Sequence, residues 1–138
     1  MDIETMVRAS LKSNELESKL IDEIIANGRS KNASAGTVLI TQGSHSKDIP
    51  LVIKGVLRIT RHDEKGNEFF LYYLEGGDTC AMSITCCLEA KKSNFSAIAE
   101  DDSILWMIPM SLLDDWLSKY PSFRKFLFNS YHMRFEEL

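Results

Sequence analysis

The chain has 138 residues, of which 44% are hydrophobic and 26% charged, a size and balance that suit one folded domain with a sizeable core. Its net charge of -4 excludes a broadly basic nucleic-acid surface, because phosphate binding draws on clustered Lys and Arg. No run approaches the roughly 18 apolar residues of a membrane span. The N-terminal Met1-Asp2-Ile3-Glu4-Thr5 lacks the basic and apolar regions of a signal peptide, and three cysteines are an odd number without small-scaffold spacing, so a cytoplasmic chain with reduced thiols is expected.

In chain order, the first strong periodicity is Leu16, Leu20, Ile21, Ile24 and Ile25, which predicts a helix over about 14 to 27. Asn14 is placed to cap it, with Glu17 three residues on and Asn27-Gly28 as the stop. Arg29 to Ala35 is polar and small and reads as a loop. The period then shortens to that of strands: Gly36 to Ile40, Ile49 to Ile53 and Val56 to Arg61. A turn at His62 to Asn67, with Gly66 free to take positive φ, joins the last of these to Glu68 to Leu74 as a hairpin. Strand signals return at Phe95 to Ala99 and Ile104 to Ile108 around an acidic turn, Glu100-Asp101-Asp102. Beyond Pro109 the period is helical again: Leu112, Leu113, Trp116 and Leu117 follow Ser111 as a cap, and Pro121 opens a second helix. Phe123, Phe126, Leu127, Tyr131, Phe135 and Leu138 stripe that helix and still run when the sequence stops. The expected fold is mainly β with flanking helices, a double-stranded β-helix or jelly roll. It divides into N-terminal helices (1–28), a β-roll (36–109) and C-terminal helices (110–138).

This order of elements resembles the effector domain of the Crp/Fnr family of bacterial transcription regulators, which has a cyclic nucleotide-binding fold. The residues that carry the resemblance are Ala35-Gly36-Thr37, Ile53 to Ile59 with Gly55, Asp63 to Glu68 with Gly66, Leu74-Glu75-Gly76-Gly77-Asp78, and Ala97 to Pro109. It covers roughly residues 10 to 138 and implies a non-catalytic sensor that takes a small-molecule effector and forms a homodimer. In that resemblance Phe123, Phe126, Leu127, Tyr131, Phe135 and Leu138 belong to the start of the family's dimer helix. The face also has a plainer use, which is to cover the open side of the roll. Members of the family reach DNA through a helix-turn-helix domain after the dimer helix. None follows Leu138, so the sequence is expected to be an isolated sensor domain or part of a longer regulator.

Members that bind cyclic AMP carry Gly-Glu in the loop after Gly-Asp, for the ribose, and a later Arg for the cyclic phosphate. Here those positions fall on Ala81, Met82 and Ser93, with Lys91 and Lys92 beside the last read as a solvated turn. Loss of a charge-assisted pair forfeits about 1.5 to 3 kcal/mol, so the usual cyclic AMP contacts are not expected. The pocket is expected to be lined by Leu74, Met82, Ser83, Ser93, Asn94 and Tyr72, with Tyr73 as a further contributor, and the identity of any cofactor or effector is open. Cys80, Cys86 and Cys87 are candidates for redox sensing or simple core filling, since a buried free Cys behaves as a small hydrophobe. Their C-x5-C-C spacing matches no common zinc or iron-sulfur pattern, no metal site is expected, and no residue stands out as a haem ligand. A cupin-like metal-binding β-roll enzyme is one alternative, on His45 alone, because Lys47 stands where that motif needs a second ligand. An interaction domain with a vestigial pocket is another.

Overall fold

The computed structural model describes residues 2–79, Ile84 and 91–136, with side chains through His132. Seven strands form two antiparallel sheets among the described residues. One has β1 (Arg29–Ala33), β7 (Ser103–Pro109) and β3 (Asp48–Lys54) in the order β1-β7-β3. The other has β2 (Val38–Ile40), β6 (Ser96–Ala99), β4 (Leu57–His62) and β5 (Glu68–Leu74) in the order β2-β6-β4-β5. The chain is therefore mainly β with flanking helices, the architecture expected from the strand pattern.

Alternation along the strands builds two apolar clusters. Leu105 and Met107 of β7 join Val52 of β3 with Leu57, Ile59, Leu74, Phe95, Ala97 and Ala99 inside the roll. Their neighbours Trp106 and Ile108, with Ile49 and Leu51, belong instead to a cluster formed with the helices. Each fully buried aliphatic or aromatic side chain contributes about 1.5 to 3 kcal/mol of transfer free energy. The two-sided burial of β3 and β7 makes them the common wall of both clusters.

The helices of residues 1–28 are bounded differently from the helix expected over about 14 to 27. There are two: α1 (Ile3–Ser13), opened by Asp2, whose carboxylate accepts from the Thr5 N–H at 2.7 Å, and α2 (Ser18–Asn27). Asn14 closes the first helix instead of opening the second, and Glu15, at φ 62°, breaks the path between them. Only Val7 and Leu11 are buried on α1, too sparse a stripe to stand out. The stop at Asn27-Gly28 holds, though not through a left-handed cap. Gly28 has φ -96°, and a Cβ there would lie 2.2 Å from Nε1 of Trp106, which donates to the Ile24 carbonyl at 3.0 Å.

Arg29–Ala33, read as loop, is strand β1, so the strands begin before residue 36. Four of its five side chains are exposed and it pairs on one side only, with β7, so its composition is that of a polar sheet edge. Ser111 caps nothing. It lies in a 3-10 turn, Met110–Leu112, that runs directly into α3 (Leu113–Lys119). The predicted hairpin is present, and Asp63 organises its turn by accepting from the Lys65 and Asn67 N–H groups at 2.9 Å, with Gly66 at φ 85°.

Helix α4 (Pro121–Glu136) starts at the proline as expected. Phe123, Phe126 and Leu127 are buried in the helix-side cluster, where the Phe123 ring meets Trp116 edge-on at 5.9 Å and Phe126 at 6.4 Å. This part of the stripe covers the domain's own core. Tyr131 is half-buried, whereas Phe128, absent from the predicted stripe, is 73% exposed. The side chain of Phe135 and the whole of Leu138 lie outside the described residues.

Candidate functional site

The predicted pocket segment leaves the roll at Leu74 and returns at Phe95. At its departure, Asp78 folds a tight turn: its carboxylate accepts from the Glu75 N–H at 2.9 Å and its own N–H donates to the Glu75 carbonyl at 2.9 Å. Gly77 takes φ 90°, a conformation that costs an L side chain energy but glycine nothing. The turn is fastened to β3, with Gly77 N–H to Val52 O at 2.8 Å and Val52 N–H to Asp78 O at 3.0 Å. Thr79 donates its hydroxyl to the Pro50 carbonyl at 3.2 Å. It is also fastened to the N-terminal helices, because the Asn14 side-chain amide donates to both Ser10 O, at 3.0 Å, and Gly77 O, at 3.3 Å.

At the return, Ser93 and the turn after β2 exchange backbone hydrogen bonds: Ser93 N–H to Ser44 O at 2.8 Å and Gly43 N–H to Ser93 O at 2.7 Å. The Ser93 hydroxyl donates to Phe95 O at 2.7 Å and accepts from Phe95 N–H at 3.3 Å, so it closes a local turn. Phe95 is fully buried inside the roll. From the neighbouring strand, Arg61 Nε donates to the Asn94 carbonyl at 3.0 Å.

Of the predicted lining residues, Leu74 forms part of the roll interior opposite Leu57, and Tyr72 is half-buried against the same cluster. Ser93 is buried but committed to Phe95, and Asn94 is exposed and offers its carbonyl. Tyr73, on the other side of β5 from Tyr72, is exposed and packs on Phe70 at 4.7 Å. Met82, Ser83 and the three cysteines Cys80, Cys86 and Cys87 lie outside the described residues. Ile84 is described, and it is buried in the helix-side cluster with Trp116 and Phe123.

Three features of this frame were missed by the sequence reading. They are the Asn14 clamp on Gly77, the seat of Ile84 among the helices, and Arg61. The only signal for the last was an arginine at an alternating position in a strand. Nearby, a cleft of about 140 Å³ lies among Asn14, Glu15, Gly77 and Asp78 on one side and Phe126, Asn129 and Ser130 of α4 on the other.

Arg58 is paired with Glu100 and lies 3.8 Å from Glu68. His45 is exposed in the turn after β2, and among the described residues no three His, Cys, Asp or Glu side chains come together to hold a metal. No helix among the described residues is long and apolar enough to cross a membrane.

The cyclic nucleotide-binding domain pattern matches residues 30–120. No curated protein matches the chain by sequence. Among solved structures, the chain is similar to the sensor domain of the transcriptional regulator DNR from Pseudomonas aeruginosa, at 19% identity and a TM-score of 0.78 over all of this chain and 97% of that one. It is also similar to the catabolite activator protein of Thermus thermophilus, at 21% identity and a TM-score of 0.71 over 88% of this chain and 56% of that one. A third is the regulatory subunit of a cAMP-independent protein kinase A from Trypanosoma cruzi bound to guanosine, at 14% identity and a TM-score of 0.71 over 86% of this chain and 40% of that one. The chain spans about half the length of most of the structures it matches. At these identities the likeness is one of fold.

Proposed function

The chain belongs to the cyclic nucleotide-binding domain family, and from that premise we propose that it is the non-catalytic, effector-sensing domain of a Crp/Fnr-type transcription regulator. The observation that carries this reading is the way the pocket segment is built in. It is clamped at both ends by backbone hydrogen bonds, and Ile84 within it is seated in the same cluster as Trp116, Phe123 and Phe126 of the C-terminal helices. An effector that rearranges the segment therefore acts on the packing of α4, and through α4 on whatever the helix joins.

The effector is not held by the usual cyclic AMP contacts, because Ala81, Met82 and Ser93 stand where that chemistry needs Gly, Glu and Arg. Dimerisation runs through the later part of α4, since Phe123, Phe126 and Leu127 are used inside the domain. Tyr131, Phe135 and Leu138, together with the exposed Phe128, are the residues assigned to it. Thiol chemistry among Cys80, Cys86 and Cys87 is a separate input to the same segment. An intramolecular disulfide found by mass spectrometry after mild oxidation supports it, and three unreactive native thiols remove it.

A neutral nucleoside is a second effector class, favoured by the guanosine-bound relative of this fold. The test of the sensor reading is a thermal-shift panel of cyclic AMP, cyclic GMP, adenosine, guanosine, haem and fatty acids. A ligand at about 100 times its Kd adds about 2.7 kcal/mol, which raises Tm by several degrees in a domain of this size. A panel in which no compound raises Tm goes against a sensor and favours an interaction domain.

A further inference from the structure

We propose that Arg61, on strand β4, is the anion contact for a phosphate-bearing nucleotide effector, taking from the sheet the role that the loop leaves empty at Ser93. This rests on the sensor reading above. Arg61 is exposed near the end of β4, just beyond Leu57, Ile59 and Thr60, which are fully buried. Its Nε is tied to the Asn94 carbonyl, one residue from Ser93, where the pocket segment rejoins the roll. Bonding through Nε fixes the plane of the guanidinium and leaves Nη1 and Nη2, the paired donors that match a phosphate oxygen pair.

The charge of Arg61 is also uncommitted. Arg8, Arg29 and Arg58 each have a carboxylate partner, whereas Arg61 has none among the described residues and its one bond is to a neutral carbonyl. The strand that carries it is held in place. Gln42 forms a reciprocal pair with the backbone of His62, donating to its carbonyl at 2.9 Å and accepting from its N–H at 2.8 Å. Phe69, the register partner of Arg61 across the hairpin, is 53% exposed. A guanidinium held through Nε and without a carboxylate partner suits the anion of a phosphate-bearing ligand.

The experiment is isothermal titration calorimetry of cyclic AMP, cyclic GMP and adenosine into the wild-type chain, Arg61→Gln, Arg61→Lys and Lys92→Ala, with Arg124→Ala as a distant control. Arg61→Gln keeps a donor for Asn94 while removing the charge, and circular dichroism checks that each variant is folded. The expected result is a cyclic nucleotide that binds about ten- to hundredfold more weakly to Arg61→Gln, with partial recovery in Arg61→Lys and adenosine affinity unchanged. Equal cyclic nucleotide affinity in wild type and Arg61→Gln overturns the proposal, as does a loss confined to Lys92→Ala. Equal affinity of the wild type for adenosine and cyclic AMP overturns it too, but leaves the sensor reading intact with a neutral effector. If neither nucleotide nor nucleoside binds the wild type, the assignment of Arg61 fails, and the thermal-shift panel decides the sensor reading by itself.

Discussion

The two ends of the pocket segment are held by different parts of the molecule. The departure end, Glu75–Thr79, is fastened to β3 and to Asn14 between the N-terminal helices, which places it with the helix-side cluster. The return end, Ser93–Phe95, is fastened to the Gly43–Ser44 turn, to Arg61 and to the interior of the roll. In the proposed sensor, a segment with one foot on the helices and one in the roll would respond to a change in how the two clusters sit against each other. Held at both ends by one cluster, it would report only on that cluster.

The comparison is tested most severely at Phe95. Phe95→Ala removes a fully buried ring from the return end and is expected to cost about 3 to 5 kcal/mol in urea unfolding. A loss under about 1 kcal/mol would show that burial does not hold that end. The departure end depends on torsion instead of volume. Gly77→Ala is expected to cost about 1 to 2 kcal/mol, because φ is 90° while the nearest atom to a new Cβ is 3.5 Å away. Gly66→Ala, at φ 85° in open space, serves as its control, and a much larger loss at Gly77 would point to packing. Asn14→Ala, which cuts the tie between the departure end and the helices, is expected to cost about 1 kcal/mol and to leave ligand contacts at Arg61 unchanged.

The smallest effects are those of pH, and two of them fall on the helical side. Glu17, which accepts from both the N–H and the hydroxyl of Ser122 at the start of α4, has its pKa held below the ordinary 4.5 by those bonds. The unfolded chain takes up this proton first, so the contribution is complete above 4.5 and is lost as pH falls through the lower folded value. Tyr120 runs the other way. Its hydroxyl donates to Glu23 and its pKa is pushed up from 10 to about 12, so its contribution is complete below 10 and is lost as pH rises toward 12. Melting curves against pH should flatten at the acid end in Glu17→Gln and at the alkaline end in Tyr120→Phe. Unchanged curves would detach these residues from the stability of the helical platform.

What the sequence made legible was whatever burial writes as periodicity. The alternation of β4, the apolar run of β7 and the helical start at Pro121 could be read directly. So could the hairpin around Gly66, where composition and backbone requirement coincide. Strand β1 was hidden because an edge that pairs on one side and faces water has no apolar alternation to show. Helix α1 was hidden because Val7 and Leu11 alone mark its buried face. The ends of the candidate segment could be read too, since the chain leaves the roll at Leu74 to Asp78 and rejoins it after Ser93. Its working parts were less legible, because a tie such as Asn14 to Gly77 joins residues far apart in the chain and leaves no local pattern.

The seat of Ile84 carries one further consequence. An isoleucine buried among helices cannot be withdrawn gradually, because the space it leaves either stays empty or is refilled by repacking. Emptying such a seat costs about 2 to 5 kcal/mol, so the unseated arrangement occupies about one molecule in thirty to one in several thousand without an effector. Ile84 is therefore either seated or unseated, with no gradual path between the two. Under the proposed sensor reading, an effector would change how often each is visited, so the response would be graded in population while each molecule has Ile84 in or out.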